Sequence, residues 1–513
     1  MSKNDPTNPL WLLLDCPSHS DKELWKALNL YGILDESQVY IHYLIAKSTD
    51  IWEPKKIVEK HGKEILSSMD ELAKLHNTHK PNSILAAGKL PTFVLYNSAS
   101  VSNYRGSILS YNGRKLIPAY SPSSVEVEPS LYPIFAADTC RAIEESKSAD
   151  FNYPTIDYRI DPKDDVLLSS LLEKEYLSVD IETTRSEDKE LLCIGFGFGS
   201  TSVVLPFTKY NDNYIRNVLS SKSVRKIFHH GAFDVNVLMM KGYEVNAYDE
   251  DTIIQAQILE PELPRSLAFL SSIYTRLPYY KDEGRSNIPE DDKSWKASRS
   301  REELFLYNAK DVYVTYQIWL AQSKELKSEN LDSLYRYEIK ANHAAIELSQ
   351  NGILFDKAKA AELKVTIEEK LKESYLVLAR LTGKIINPRS SKDVPALLYD
   401  VLKLPVKTNK KQKRTTDEDA IVSLLGFCKN QLVKFKSEEK QYEWSKNTLI
   451  LQIILQLRGL EKLLSSYINI KTSNDGRIRS VYKPHATETG RWAATKFIDD
   501  TGINLQTVPR GGI

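Results

Sequence analysis

The segment that most constrains this chain runs from Tyr176 to Thr184 and alternates apolar and polar residues as a buried β-strand does. Its apolar residues fall on one face and can join a core, whereas Asp180 and Glu182 fall on the other face. Two carboxylates side by side repel each other, and a metal ion between them relieves that repulsion. On this segment alone, an acidic pair exposed to solvent at a strand end remains an open alternative.

The composition is that of a folded globular protein. A chain of 513 residues is too long for one core and predicts about three domains. Hydrophobic residues make up 42% and charged residues 27%, which excludes a disordered chain. With 69 basic and 68 acidic residues the net charge is +1, so a surface that binds nucleic acid has to be local.

Cysteines and apolar runs bear on the compartment. The four cysteines are far apart and show no CxxC spacing, which favours neither a zinc site nor a disulfide scaffold and fits a reducing compartment. The apolar run Pro9–Leu14 is too short for a membrane span and ends at Asp15. We therefore expect a cytoplasmic protein that does not bind a membrane.

Strands and helices alternate over residues 1–150, which predicts an α/β sandwich. The predicted strands cover residues 10–14, 38–45, 84–88 and 115–120. The predicted helices cover residues 54–76 and 132–146. No residue pattern in this region indicates a reaction by itself.

The order of short motifs in this region resembles the uracil-DNA glycosylase superfamily. Asp15-Cys-Pro17 stands at the family's water-activating loop after the first strand, and Leu85–Gly88 resembles the strand and turn before the family's second half. Tyr104-Arg105-Gly106 and Pro118–Ser123 resemble the family's RG turn and catalytic loop. Ser121 stands where the family has a histidine, and a hydroxyl cannot stabilise the charge of a leaving uracil. The resemblance implies a glycosylase-like domain that has lost activity and grips DNA or another protein.

Two further acids follow the Asp180–Glu182 pair. Asp234 lies at the start of a predicted helix, where it could equally cap that helix. Asp311 lies on a predicted helix over residues 301–322, with Tyr307 one turn before it on the same face. The other strands predicted in this region cover residues 192–198, 202–207 and 224–229.

Asp-x-Glu, then His-His-Gly-Ala-Phe-Asp, then Tyr-x-x-x-Asp, in this order, resemble the DEDDy group of 3′–5′ exonucleases. The resemblance implies a ribonuclease-H-like mixed sheet over residues 151–330. It assigns catalysis and metal binding to four acids, namely Asp180, Glu182, Asp234 and Asp311.

The residue types fit hydrolysis of a phosphodiester. Four hard oxygen ligands suit two divalent ions, Mg²⁺ or Mn²⁺, which polarise the phosphate and generate hydroxide. Tyr307 is expected to orient or deprotonate the attacking water. His230 stands where members of this group commonly have Asn beside the scissile phosphate, so the resemblance places it at the DNA.

The last third is predicted to be helical, over residues 331–350, 357–381 and 441–467. Motifs in this part resemble the thumb and the palm entry of family A DNA polymerases. They are Asn351-Gly-Ile, Ile386–Ser391, Arg414–Glu418, Arg458–Tyr467, Thr489-Gly-Arg491 and Asn504–Pro509. The resemblance implies a helical thumb with the start of a palm over residues 331–513.

This resemblance also implies contacts with DNA, which a basic run indicates by its charge. The implied contact residues are Lys407, Lys410, Lys411, Lys413, Arg414, Arg491 and Gln506. A solvated loop is the alternative for the run 407–414.

Together these motifs predict the 3′–5′ proofreading part of a split or truncated family A DNA polymerase of bacterial or phage type. The palm's catalytic aspartates lie beyond Ile513 in that family, so we expect a second chain with the rest of the palm and the fingers. The expected substrates are single-stranded and primer–template DNA. A stand-alone DEDDy nuclease acting on RNA and a non-catalytic DNA-holding subunit are the alternatives.

Overall fold

The computed structural model describes residues 5–47, 51, 53–282, 301–409 and 412–508. The chain forms two compact units, Met1–Ile346 with Lys483–Trp492, and Glu347–Tyr482 with Ala493–Ile513. The three-domain division stays a prediction. Within the described ranges, no helix is both long and apolar enough to cross a membrane.

The first unit begins with a five-stranded sheet covered by helices, which we call the front domain. Its elements are β1 (Leu10–Leu14), α1 (Asp21–Leu30), β2 (Tyr40–Tyr43), α2 (Pro54–His79), β3 (Ser83–Ala87), α3 (Lys89–Tyr96), α4 (Val101–Tyr104), β4 (Leu109–Tyr111), β5 (Arg114–Ala119), α5 (Pro122–Val127) and α6 (Tyr132–Ser146). The strand order is β2-β1-β3-β5-β4, and only β4 is antiparallel to its neighbour.

Side-chain alternation along β1 builds a core on each face of this sheet. Leu12 is buried in the cluster that contains Phe135 of α6, whereas Trp11 is buried in the cluster that contains Leu72 of α2. Burying a side chain of this size contributes roughly 1.5–3 kcal/mol. The sheet is therefore the middle layer of a sandwich, and the carboxyl ends of its parallel strands meet at one edge.

The rest of the first unit is built on a six-stranded mixed sheet, which confirms the predicted α/β class. Its elements are β6 (Asp157–Ile160), α7 (Asp165–Ser170), β7 (Tyr176–Thr183), β8 (Leu191–Phe198), β9 (Thr201–Pro206), α8 (Lys209–Ser220), β10 (Arg225–Phe228), α9 (Ala232–Met240), β11 (Tyr248–Asp251), α10 (Thr252–Leu259), α11 (Leu267–Tyr274) and α12 (Arg301–Ser328). The order is β11-β10-β7-β8-β9-β6, in which β7, β8 and β9 form the antiparallel meander and the other pairs are parallel.

Helix α12 packs unusually close to the sheet because β8 has glycine at two positions beneath it. A Cβ at Gly195 would lie 2.4 Å from Asn308 Oδ1, and one at Gly197 would lie 2.8 Å from the Val312 carbonyl oxygen. The Ser178 hydroxyl of β7 donates to that same carbonyl at 2.6 Å. Helix α12 consequently covers this face of β7.

The second unit is mainly helical, which confirms the helical C-terminal part of the prediction. Helix α13 (Asp332–Asn351) spans the division between the two units. The elements after it are β12 (Ile353–Leu354), α14 (Lys357–Thr382), α15 (Asp393–Pro395), α16 (Glu418–Lys434), α17 (Glu438–Leu463), β13 (Arg477–Ile478), β14 (Ser480–Lys483) and β15 (Ala493–Lys496). Leu378, Leu424 and Ile454 of its three long helices are buried in one cluster.

We expect Gly195→Ala to destabilise the first unit by about 1–3 kcal/mol, because a methyl group would push Asn308 and α12 off the sheet. Urea unfolding followed by circular dichroism measures the change. Gly426→Ala is the control, since a Cβ at this position of α16 meets nothing within 4 Å, and it should be neutral or slightly stabilising. Equal stability of Gly195→Ala and the wild type would contradict the steric argument.

Candidate metal centre and active site

Three of the four predicted acids meet in one cluster. Asp180, Glu182 and Asp311 each offer a carboxylate oxygen, and these oxygens lie within 4.8 Å of one another. Two acids are two residues apart on β7 and therefore share a face. The third comes from α12, which the glycines of β8 allow to lie over that face.

Asp234, in the first turn of α9, lies beside this cluster. Its Oδ1 accepts a hydrogen bond from the Ile181 backbone N–H of β7 at 3.1 Å. Its charge is also one of the causes that raise the pKa of Asp180. The helix-cap alternative fits poorly, because Gly231 precedes α9 and the Asp234 side chain is directed to the strand.

Asn308 of α12 fixes one of these carboxylates. Its Nδ2 donates to Asp180 Oδ2 at 2.7 Å, and the side chain is completely buried. Asn308 is one of the unspecified positions of the Tyr-x-x-x-Asp motif, so the sequence predicted no role for it. One sequence signal could have indicated this role. Asn308 stands three residues before the candidate ligand Asp311, on a helix that follows a strand with two glycines.

Burial and mutual repulsion favour the neutral forms of these acids. Burial is the largest cause that raises the pKa of Asp180, followed by the charges of Asp234 and Asp311. The pKa of Glu182 is raised to about 8, and that of Asp234 to about 7, again mainly by burial. The raised pKa values favour the protonated carboxyl groups, and a bound cation would favour the ionised ones.

A tyrosine and a lysine that sequence analysis did not select also reach the cluster. Tyr280 donates to Asp311 Oδ1 at 2.5 Å, and Lys281 Nζ lies 2.6 Å from both oxygens of Asp311. The same Nζ donates to the Tyr307 hydroxyl at 3.0 Å. In the sequence, Tyr280 and Lys281 stand before α12 in a stretch that shows neither helix nor strand periodicity. No local pattern therefore marks them as site residues.

His230 lies in a turn that Asp251 holds in place. The backbone N–H groups of His230 and Gly231 donate to the two Asp251 oxygens at 3.0 and 2.9 Å. His230 adopts a positive φ of 63°, and its ring lies 5.3 Å from that of His485. Burial lowers the pKa of both histidines, and that of His485 to about 3, so both are neutral hydrogen-bonding groups at neutral pH.

The donor set fits divalent cations. Carboxylate oxygens from three or four acids are the hard ligands that Mg²⁺ and Mn²⁺ prefer. Cys193 is buried on β8 opposite Glu182 and is not part of the group of possible ligands among the described residues. The cluster could therefore hold a divalent metal ion, and its identity as Mg²⁺ or Mn²⁺ stays a prediction.

Three of the predicted DNA contacts of the basic run, Lys407, Lys413 and Arg414, lie in the second unit beside an antiparallel bridge between Thr408 and Arg414. Asn409 N donates to the Lys413 carbonyl and Thr415 N to the Lys407 carbonyl, both at 2.9 Å. Lys413 and Arg414 are exposed, and Lys407 is half-buried. Lys410 and Lys411 lie outside the described residues.

The remaining predicted contacts are exposed. Arg491 belongs to the first unit, where its carbonyl oxygen accepts from the Thr487 hydroxyl at 2.8 Å. Gln506 belongs to the second unit, and its N–H donates to Asn504 Oδ1 at 3.0 Å. Their roles at DNA stay predictions.

Asp15 and Ser121 lie at the shared edge of the front-domain sheet and line one cavity of about 160 Å³. Burial raises the pKa of Asp15 to about 7, and its Oδ1 is buried without a hydrogen-bond partner. The Ser121 hydroxyl accepts from Ser124 N at 3.1 Å and so caps α5. The resemblance to glycosylases stays a prediction.

We expect the metal-free protein to lose thermal stability as the pH rises from about 5 to about 9. Glu182 and Asp234 have raised pKa values in the folded state, which therefore binds more protons than the unfolded state. Proton binding stabilises the folded protein fully below the pKa of the unfolded chain. This stabilisation is lost as the pH rises through the folded pKa values of about 7 and 8. Mn²⁺ should therefore raise Tm more at pH 9 than at pH 6, measured by scanning fluorimetry in EDTA or MnCl₂. Glu182→Gln should flatten this dependence, and a Mn²⁺ effect independent of pH would contradict it.

Comparison with known proteins places the cluster within a known domain type. Residues 162–327 match the family model described as 3′–5′ exonuclease, of family A DNA polymerases. The chain is 25% identical to DNA polymerase I of Borreliella burgdorferi over 364 residues, 67% of this chain and 36% of that protein. It is 24% identical to DNA polymerase I of Pseudomonas aeruginosa over 388 residues, 67% of this chain and 38% of that protein. The matches thus span little more than a third of these relatives.

A solved structure shares the fold. The polymerase domain of Pol1 from M. smegmatis, in complex with DNA primer-template and dNTP, matches with a TM-score of 0.50 and 20% identity. The match covers 69% of this chain and 56% of that chain. Residues 162–327 are therefore similar to the 3′–5′ exonuclease domain of DNA polymerase I-like proteins.

Proposed function

We propose that this chain hydrolyses DNA from 3′ ends with two divalent ions held by Asp180, Glu182, Asp234 and Asp311. The observation that carries the proposal is the convergence of three of these carboxylates within 4.8 Å inside a 3′–5′ exonuclease domain. Mg²⁺ or Mn²⁺ bound there would polarise the scissile phosphate and lower the pKa of a bound water.

The protein's own groups supply position and proton transfer. The Tyr307 hydroxyl, one helical turn from Asp311, is placed to orient the attacking water. Burial and the nearby charges of Asp311 and Glu182 raise the pKa of Tyr307, so this hydroxyl acts as a neutral hydrogen-bonding group. Asn308 keeps the Asp180 carboxylate in one orientation through its hydrogen bond at 2.7 Å.

DNA is favoured over RNA as substrate by the likeness to DNA polymerase I beyond the exonuclease domain. Lys413 and Arg414 of the second unit are exposed and could contact a phosphate backbone of either kind, although Arg414 also pairs with Asp400 at 2.9 Å. A stand-alone ribonuclease and a non-catalytic DNA-holding subunit are the rival functions. The role in DNA replication and a second chain that carries the rest of a polymerase stay predictions.

Asp234→Ala should lower exonuclease turnover by orders of magnitude, because it removes an acid at the metal centre. Tyr307→Phe should lower turnover less, by roughly 10²-fold, because it removes one proton-handling group and keeps the ring. The turnover of both variants is measured as the shortening of a 5′-labelled single-stranded DNA in Mg²⁺. A reaction in EDTA serves as the blank. Lys209→Met, at an exposed lysine that begins α8, is the matched control.

The same assay with an RNA of identical sequence separates the rival functions. Faster shortening of RNA than DNA would favour the ribonuclease, and Mg²⁺-independent binding without hydrolysis would favour the holding subunit. Wild-type rates in Asp234→Ala would show that the site is assigned wrongly.

For the front domain we propose a glycosylase-like fold without efficient uracil excision, in which Ser121 serves as a helix cap. Incubation with uracil-containing DNA, followed by alkaline cleavage, should therefore produce abasic sites at no more than the background rate. Asp15→Asn is the informative variant, because Asp15 is the buried acid of the cavity. Excision that Asp15→Asn abolishes would overturn the proposal.

A further inference from the structure

We propose that the front domain completes the nuclease site by holding the segment Tyr279–Asp282, whose Lys281 positions Tyr307 and Asp311. This inference rests on the proposed exonuclease function and extends it to a residue outside the four acids and Tyr307. It also gives the front domain a task that needs no chemistry of its own.

Lys281 reaches into the site as a cation among acids. Its Nζ contacts both oxygens of Asp311 at 2.6 Å, and its side chain is only 14% exposed. The ammonium group also lies 4.7 Å from the centre of the Tyr307 ring. A lysine this deeply placed is held by its partners, because burial of an unpaired ammonium group is unfavourable.

The hydrogen bond to Tyr307 determines what that hydroxyl can do. Lys281 Nζ donates at 3.0 Å, so the Tyr307 oxygen is the acceptor in this bond. The Tyr307 hydroxyl also hydrogen-bonds the Asp311 side chain, so Lys281 and Asp311 together fix its orientation. Lys281 is in this sense a positioning residue, because it acts through Tyr307 and Asp311.

The residues on either side of Lys281 are anchored separately. Tyr280 is buried and donates to Asp311 at 2.5 Å. The Tyr279 ring packs edge-on against Tyr104 of the front domain, with centroids 5.0 Å apart. The Tyr104 hydroxyl lies 3.4 Å from Asp282 Oδ2.

The front domain is itself fixed to α11, the helix that leads into this segment. Arg105 pairs with Asp138 in a fully buried ion pair and donates to the Ser272 hydroxyl at 2.9 Å. Arg141 donates to the carbonyl oxygens of Ile273 and Thr275, both at 2.7 Å. Buried charge-assisted bonds of this kind are strong, so the front domain restricts where the segment can lie.

Lys281→Met tests the positioning role. We expect kcat on single-stranded DNA to fall roughly 10–100-fold with little change in KM, as for loss of a group that orients a ligand. Mn²⁺ affinity, measured by isothermal titration calorimetry, should rise several-fold, because a positive charge beside the carboxylates is gone. Lys281→Arg should recover part of kcat, and Lys209→Met should match the wild type.

Two outcomes would overturn the role of Lys281. Wild-type kcat in Lys281→Met would show that the lysine does nothing in hydrolysis, and parallel loss of kcat and Mn²⁺ affinity would show a structural role only. If the wild type does not hydrolyse DNA, the proposed function fails, while the Mn²⁺ affinities still report whether Lys281 lies at the acids.

Tyr104→Ala tests the role of the front domain without touching the site. We expect kcat to fall several-fold and Mn²⁺ affinity to rise, both in the direction expected for Lys281→Met. Tm should fall moderately, because Tyr104 packs against a core cluster of the front domain, while the protein stays folded. Tyr31→Ala is the control, because Tyr31 is an exposed aromatic residue of the same domain. Equal kcat in the two variants would refute the part of the proposal that concerns the front domain.

Discussion

The close contact between α12 and the strands β7 and β8 is the constraint on which the site depends. Without side chains at Gly195 and Gly197, the helix lies near enough for Asn308 to hydrogen-bond Asp180 across the sheet. The same approach carries Asp311 to the acids of β7, since it lies one turn beyond Tyr307 on the face that packs down. A helix farther from the sheet would separate the ligands and remove the hydrogen bonds of Asn308 to Asp180 and of Ser178 to the Val312 carbonyl.

This packing concentrates negative charge, which opposes folding in the absence of a cation. Raised pKa values at Asp180 and Glu182 express that cost, because the folded protein keeps protons that the unfolded chain would lose. Donors offset part of it, as Ile181 N–H does for Asp234 and Lys281 for Asp311. A cation bound at these acids would remove this cost, which agrees with the metal-dependent hydrolysis that we propose.

Residues that repeat with a local period were predictable, and residues positioned by tertiary contacts were not. Apolar residues recur every second position around Asp180 and every three to four positions around Asp311, which predicts a strand and a helix. The structure contains both elements. Lys281 lies in a charged stretch that resembles any solvated loop, and its place depends on contacts with a distant domain. The assignment of Lys483–Trp492 to the first unit was equally hidden, because the sequence places this segment among palm-like motifs.

In the front domain, residues that belong to a glycosylase-like motif make structural contacts with α11. Arg105 and Gly106 resemble the RG turn of that family. In the structure, Arg105 contacts both Asp138 of α6 and Ser272 of α11. Gly106 has a positive φ, and a Cβ there would clash with the Asp138 carboxylate, so the glycine is needed for that ion pair. Ser121 is likewise engaged as the cap of α5. These residues would stay under structural constraint whether or not the cavity binds a ligand, because replacing any of them loosens the domain or its hold on α11.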